Sequence, residues 1–441
     1  MKKKLAKVLT AGVMTFCMVG CSSTTTEVIK AGTILDNPKD NLTSAERNNL
    51  RSKVIADQMW KNYYDEELNG AINYYPYKDD TEEIASVWHF TSILSLYIKL
   101  VKNNPNDAEL KRKLNTVLEG LEYYHERRTD YRAYAVKRGI DIDMASSGYM
   151  ADVYDDNMWI AREFLNAYET LNDESLLTKC EETIEYCLTG WDSSINSDTG
   201  AEWGGIYWGP DYLSKHACSN GPIISTLVRL SKINPDKVVN GRTYLQWAKD
   251  VYDFGLKTFK MSNDLYGDMI GTEKSGGVTT SHGSLDTTAY TYNTGTMISG
   301  GAYLYEATKD EKYLNQAKKS MKASFEYFGD YEVLNGYYQF PLGTTIWFNL
   351  TLFQGYYDLL LVDDSASEYL ALIQKSIDFA YNNYLYDNYL PVNWVSGWQY
   401  GLTSDENKDV MLVGCVSRLT WQKGFYLLME QLDALCAAPI Q

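Results

Sequence analysis

Histidine is scarce: the 441-residue chain has four, His89, His125, His216 and His282, with no two at helical spacing. That excludes a helix-borne metal-ligand pair, and each reads as a structural or substrate-contact residue. Cysteine is thin too, with seven residues at scattered positions and no CxxC pair, which excludes a disulfide framework. Cys180 and Cys187 fall on one helical face about 10.5 Å apart along the axis, too far to bridge, and read as small buried hydrophobes. There is no GxSxG elbow and no phosphate loop, and the glycines of 271–283 lack the strand context of a dinucleotide fold. No cofactor is implied. Proline is limited to 9 residues against 45% apolar ones, the balance of a folded globular chain rather than a disordered or collagenous one. Basic residues are outnumbered 41 to 58, for a net charge of −17. Such a surface repels phosphate backbones and anionic lipid, which excludes nucleic acid as a partner, and it disfavours uronic-acid polymers as substrates.

What is abundant is tyrosine and tryptophan, 37 and 11 residues against 12 phenylalanines. Each offers a flat apolar face with a polar tip, which suits a sugar ring as well as a large core. At the N-terminus, four lysines within the first seven residues precede an apolar run over 8–20 that is too short to span a bilayer as a mature helix. This is the layout of a secretory signal. Met18-Val19-Gly20-Cys21, followed by Ser22-Ser23-Thr24-Thr25-Thr26, resembles a bacterial lipobox. Residues 1–20 are therefore expected to be a lipoprotein signal peptide, with Cys21 as the lipidated N-terminus and 21–43 as a flexible tether. The body, 44–441, is expected outside the cytoplasm at the cell envelope, with the lipid anchor as its one membrane attachment. Plain secretion is the alternative.

From Ser44 onward the apolar period is helical. Ile93, Leu96, Tyr97 and Leu100 form one stripe, and Leu176, Cys180, Ile184 and Cys187 another. Runs of alternating residues bounded by turns are nearly absent. Asn103-Asn104-Pro105-Asn106-Asp107, Asn172-Asp173, Asn234-Pro235-Asp236, Lys309-Asp310 and Asp363-Asp364 break the helices into hairpins. A lone helix over 44–64 is followed by five hairpins, whose first helices start near Trp88, Asp156, Asn220, Asn293 and Thr345. A last helix starts near Leu412. Unpaired first and last helices predict a closed ring: an all-α, single (α/α)6 barrel of twelve helices, with an open solenoid as the alternative. The first helix of each hairpin is the more apolar, as an inner ring should be.

Five long segments rich in aromatics and glycine, 129–155, 191–219, 261–292, 330–344 and 387–411, precede inner helices and should emerge on one rim. Tyr149, Tyr154, Trp191, Trp203, Tyr207, Trp208, Tyr266, Tyr337, Trp394 and Trp398 would line it as stacking platforms. The sharpest local signal is Tyr154-Asp155-Asp156-Asn157-Met158-Trp159. Adjacent aspartates at a helix start serve as caps and complement the dipole. Two carboxylates in one cleft also push one of them toward being an acid near neutral pH, which is the pairing that glycoside hydrolysis requires. Asp141, Asp143 and Asp152 upstream lack the glycine and closing glutamate of a calcium loop.

Tyr-Asp-Asp-Asn-x-Trp running into Ala167-Tyr168-Glu169 resembles the signature of glycoside hydrolase family 76, the endo-α-1,6-mannanases. The resemblance continues in order through Gly204-Gly205-Ile206-Tyr207-Trp208, Ser219-Asn220-Gly221-Pro222, Thr291-Tyr292-Asn293-Thr294-Gly295, Leu304-Tyr305-Glu306-Ala307-Thr308 and Tyr313-Leu314. It covers roughly 149–323. Beyond 330 the chain departs from the family, with Asn335-Gly336-Tyr337-Tyr338-Gln339-Phe340 where a Lys-Gly-Ile-Phe-type stretch usually stands; subsite specificity is what this departure touches. The resemblance implies a retaining, endo-acting monomer on α-1,6-mannan, with Asp155 as nucleophile and Asp156 as general acid/base. It implies substrate contacts from Tyr154, Asn157, Trp203, Tyr207, Trp208, Asn220, Tyr292 and Asn293, for which helix capping and rim packing are the alternative. A lipid-anchored glycan-binding protein on the same barrel, a polysaccharide lyase and an unsaturated glucuronyl hydrolase are the rival functions.

Overall fold

The computed structural model describes residues 42–72, 84–126, 130–138, 153–332, 336–341, 346–385 and a few positions between 388 and 395. Within them the chain forms eleven α-helices, and their order follows the hairpin plan. A lone helix, α1 (Ser44–Tyr63), opens on a capping box in which Thr43 Oγ1 accepts the Glu46 amide and Glu46 accepts the Thr43 amide. Five pairs follow: α2 (Val87–Asn103) with α3 (Ala108–Leu121), α4 (Tyr154–Leu171) with α5 (Glu174–Leu188), α6 (Gly221–Ile233) with α7 (Tyr244–Thr258), α8 (Thr291–Thr308) with α9 (Glu311–Phe328), and α10 (Ile346–Leu360) with α11 (Ser367–Tyr384). The twelfth helix expected near Leu412 lies outside the described residues.

The joints work as their residues dictate. Asn172 and Lys309 adopt left-handed backbone at φ 56° and end α4 and α8. The next residues, Asp173 and Asp310, accept the Ser175 and Lys312 amides at 2.9 and 3.0 Å and start the return helices. The first helix of each pair is wrapped by others: α2 is buried almost all round from Val87 to Val101, and α8 from Thr291 to Leu304. The second helix buries one stripe, as α9 does with Tyr313, Leu314, Ala317, Met321, Phe325 and Phe328. Inner helices α8 and α10 meet backbone to backbone. A Cβ on Gly295 would lie 2.5 Å from the Thr351 carbonyl, and one on Gly355 would lie 2.4 Å from that of Gly295.

Chain ends close on each other. On α1, Asn48 Nδ2 donates to Gln374 Oε1 of α11 at 2.6 Å. Arg51, with its side chain 1% exposed, pairs with Asp378 and lies 4.3 Å from the centre of the Tyr381 ring.

An expectation of nearly no strands is corrected on the rim. There β1 (Ser214–His216), β2 (Met269–Ser275) and β3 (Val278–Leu285) form an antiparallel sheet in the order β1-β2-β3. Gly276 and Gly277, at φ 57° and 83°, supply the two left-handed positions of the hairpin turn. Ile270 is the one large apolar residue the strands bury, beside the polar Lys215, Thr272 and Thr279, so their alternation is faint in the sequence.

Candidate active site

The segment leading to α6 and the sheet converge on the start of α4. The Tyr154 amide donates to the Trp208 carbonyl at 2.9 Å, and the Ala217 amide to the Asp268 carbonyl at 2.8 Å. Asp155 and Asp156 therefore sit at the inner mouth of the barrel, half-buried, in the first turn of α4. Neither caps the helix: the N-cap is Val153, which makes no side-chain bond. A capping role for the pair is thereby removed.

Two environments separate the carboxyls. Asp155 is pushed up to about 6 by burial, a rise restrained by hydrogen bonding from Cys218, Trp159 and Trp208 and reinforced by the charge of Asp268. The Trp159 indole N–H donates to Asp155 Oδ1 at 3.2 Å. Trp208 Nε1 is buried beside the acid, short of a full hydrogen bond to it. Among the described residues Asp156 has no such donors. Burial and then the charge of Asp155 push it up to about 8. At neutral pH the site thus holds one carboxylate and one carboxylic acid side by side.

Asp268, Cys218 and Tyr292 complete the wall around Asp155. Burial raises Asp268, with Asn293 Nδ2 donating to it at 3.4 Å. Burial also raises the Cys218 thiol and the Tyr292 phenol, and the charges of Asp155 and Asp268 add to it. Beside them stands an aromatic wall drawn from four helices, α2, α4, α8 and α10. Tyr292 lies 4.2 Å from Phe348, and Trp347 lies 5.2 Å from Trp88 and 4.7 Å from Trp159, centre to centre.

The structure sorts the expected substrate contacts into three groups. Trp208, Tyr292 and Asn293 stand at the aspartates; Asn293 is fully buried, with Oδ1 unpartnered. Trp203 and Tyr207 instead support the rim sheet. Trp203 packs against His282 with ring centres 4.5 Å apart and planes tilted by 48°, and Tyr207 is 8% exposed with its hydroxyl donating to Asp192 at 2.9 Å. Tyr154, Asn157 and Asn220 lie in the core. The Tyr154 ring packs on Gly190 and Tyr186, and its hydroxyl pairs with Thr189 at 3.2 Å. Asn157 Oδ1 accepts the Tyr134 amide and its Nδ2 donates to the Tyr134 and Val153 carbonyls. Asn220 does the same for Ile206 and His216. Both amides spend their capacity on backbone, which holds the segments before α4 and α6 in place.

A buried pair beneath the sheet had no sequence signal. Lys215, fully buried, donates to Asp192 Oδ2 and the Gly204 carbonyl at 2.6 Å each, and lies 3.1 Å from His282 Nε2. Burial raises Asp192, but Lys215, Ser194 and Thr279 outweigh it and hold the group at about 2; Lys215 itself, burial winning, falls to about 8. Cys180 and Cys187 are free and buried, as expected. No cluster of three metal-ligating side chains occurs among the described residues. Tyr149, Asp141, Asp143, Asp152, Trp398 and Cys21 lie outside them.

Helical hairpins that bring two carboxyls of divided proton affinity to one mouth form a site suited to glycoside hydrolysis. Residues 48–413 match the model of glycosyl hydrolase family 76, and the chain belongs to that family. It is 27% identical over 171 residues to the mannan endo-1,6-alpha-mannosidase DCW1 of Saccharomyces cerevisiae, a match covering 38% of this chain and 35% of that protein. The matched segment thus spans about a third of that curated relative. The fold is similar to that of the family 76 mannosidase Bt3792 of Bacteroides thetaiotaomicron, with TM-score 0.66 and 19% identity over 88% of this chain and 97% of that one. It is also similar to GH76A, an α-1,6-mannanase of Salegentibacter sp. HEL1_6, with TM-score 0.61 and 21% identity over 88% and 99% of the two chains. That structure holds α-1,6-mannotriose in an inactive variant with two adjacent aspartates changed to asparagine.

Proposed function

We propose that the protein is an endo-acting, retaining α-1,6-mannanase in which Asp155 is the nucleophile and Asp156 the general acid/base. The observation that carries this reading is the divided proton affinity of two neighbouring carboxyls at the mouth of the barrel. Asp155, ionised, attacks the anomeric carbon as the glycosidic C–O bond breaks, and the Asp156 proton passes to the leaving oxygen. The product is a mannosyl ester on Asp155. Its formation removes the charge that holds the Asp156 proton in place. Asp156, now a carboxylate, accepts a proton from water as the water oxygen attacks the same carbon and Asp155 departs.

The activities named for the relatives, and the mannotriose held by a relative lacking two adjacent aspartates, support this substrate and this pair. Trp208 and Tyr292 are the stacking platforms nearest the acids. The ring is read as an (α/α)6 barrel completed by a twelfth helix near Leu412, a reading supported by the pairing of α1 with α11. The N-terminal pattern supports export as a lipoprotein anchored at Cys21, with 21–43 as tether; the protein is taken as a monomer.

The test is release of reducing ends from debranched α-1,6-mannan by the protein without residues 1–21 and by its Asp155→Asn and Asp156→Asn variants. Wild-type release with most turnover lost in both variants is expected. Binding of the glycan without release by the wild type would make the protein a glycan-binding protein instead.

A further inference from the structure

Below the catalytic pair, α4 carries a stripe at helical spacing: Asp155, Trp159, Arg162, Glu163 and Asn166. The Arg162 guanidinium lies 4.6 Å from the centre of the Trp159 ring, which also meets Trp347 of α10 at 79°. Trp159 is clamped between a cation and a second indole while its N–H reaches Asp155. Arg162 is fixed in turn. Its Nε and Nη2 reach Glu163 Oε1 at 2.9 and 2.7 Å, and the Glu163 side chain is 1% exposed. Glu163 Oε2 accepts from Asn166 at 2.9 Å, and Asn166 Oδ1 accepts from Arg229 at 2.9 Å.

Arg162 also stands at a boundary. Toward the C-terminal ends of the inner helices lies a cavity of about 280 Å³, bordered by Arg162, Asn166, Arg229, Tyr303 and Asp358. Toward the catalytic mouth is a slender recess between Trp159, Arg162 and the glycines Gly221, Gly295 and Gly355. Arg162, Ser225, Ser299 and Gln354 border both, and Arg162 is the one of them that carries a charge.

We propose that Arg162 is a positioning residue for Asp155. Its guanidinium, locked by Glu163, bears on the Trp159 ring, keeps the indole N–H on the carboxylate and closes the floor of the site against the cavity beneath. The inference rests on the reading of Asp155 as nucleophile. The ionisable groups facing Asp155 are Asp156 on α4, Cys218 before α6, Asp268 before β2 and Tyr292 on α8. Those facing Arg162 are Glu163, and Asp358 of α10, which also feels Arg229. Replacing Arg162 alone leaves every group facing Asp155 in place, and it takes the cation from Glu163 and from Asp358.

The test compares wild type with Arg162→Met, which keeps aliphatic bulk without charge, and with Arg162→Lys. One readout is hydrolysis of debranched α-1,6-mannan across pH. The other is a substrate-free pH titration of tryptophan fluorescence, in which an Asp155→Asn variant identifies the transition belonging to Asp155. In Arg162→Met that transition is expected to move up by roughly half a pH unit or more as the carboxylate loses its donor. The kcat should fall about tenfold with KM within about twofold, and lysine should recover most of both effects. An unmoved transition overturns the proposal whether or not mannan is cleaved. A shifted transition in a protein that releases no reducing ends sustains the positioning and sinks the mannanase reading. If Arg162→Met fails to fold by circular dichroism, Glu163→Gln carries the test: it frees the guanidinium in place and should move the transition less, in the same direction. No movement there overturns the proposal equally.

Discussion

Trp159 sits one helical turn beyond Asp155 on α4, and its indole N–H lies 3.2 Å from Asp155 Oδ1. Among the described residues Asp156 has no comparable donor. This asymmetry, to which Cys218 and Trp208 add beside Trp159, favours the charge on the first aspartate and the proton on the second.

Replacing that donor should cost rate. In Trp159→Phe the carboxylate loses a charge-assisted bond of about 1.5–3 kcal/mol, so kcat should drop between about tenfold and a hundredfold. The ascending limb of the pH–rate profile should move to higher pH.

The wild-type profile should itself be bell-shaped. Activity needs Asp155 ionised and Asp156 protonated, so it should rise near pH 6 and fall near pH 8. Initial rates across pH 4–10 on one mannan oligosaccharide check this, and the two apparent values belong to the pair.

The same shifts predict a trade of stability for function. Both carboxyls hold protons in the folded protein at pH values where the unfolded chain has released them, from about 4 upward. Stability should therefore fall as pH rises through the window from about 4 to about 8. Asp156→Asn removes the larger shift, so at pH 8 it should melt higher than wild type by about 2 °C or more, with a flatter dependence of Tm on pH.

Lys215 is the neutralising partner of a buried carboxylate. Lys215→Met leaves Asp192 unpaired among Tyr207, Thr279 and Gly204, a loss of about 3–5 kcal/mol. Hydrogen exchange should show it as loosening of 191–219 and of strands β2 and β3, with the helical hairpins α8–α9 and α10–α11 unchanged.

Much of the frame was legible because the joints are local chemistry. Asn172-Asp173 and Lys309-Asp310 stop one helix and cap the next within two residues, and the periodicity between joints needs no tertiary information. The rim sheet was not legible, because Ile270, Thr272 and Thr279 bury too little apolar surface to mark a period of two; the Gly276-Gly277 turn was the sign available. Asp155 and Asp156 announce themselves by adjacency at a helix start. Their surroundings do not: Asp268, Cys218, Trp88 and Trp347 come from four other segments, and only the ring of helices brings them together. Asn157 and Asn220 mislead for a related reason. An amide at a helix mouth looks like a ligand group until its backbone partners, Tyr134 and Ile206, are in place.

The most direct test of the account is the anomeric configuration of the first product. Protein lacking residues 1–21 would be mixed with debranched α-1,6-mannan and the newly formed reducing end followed by proton NMR before mutarotation. The account predicts an early α-anomer signal on oligosaccharides of mixed length. An early β-anomer would contradict it, since a single inverting displacement leaves no place for Asp155 as nucleophile.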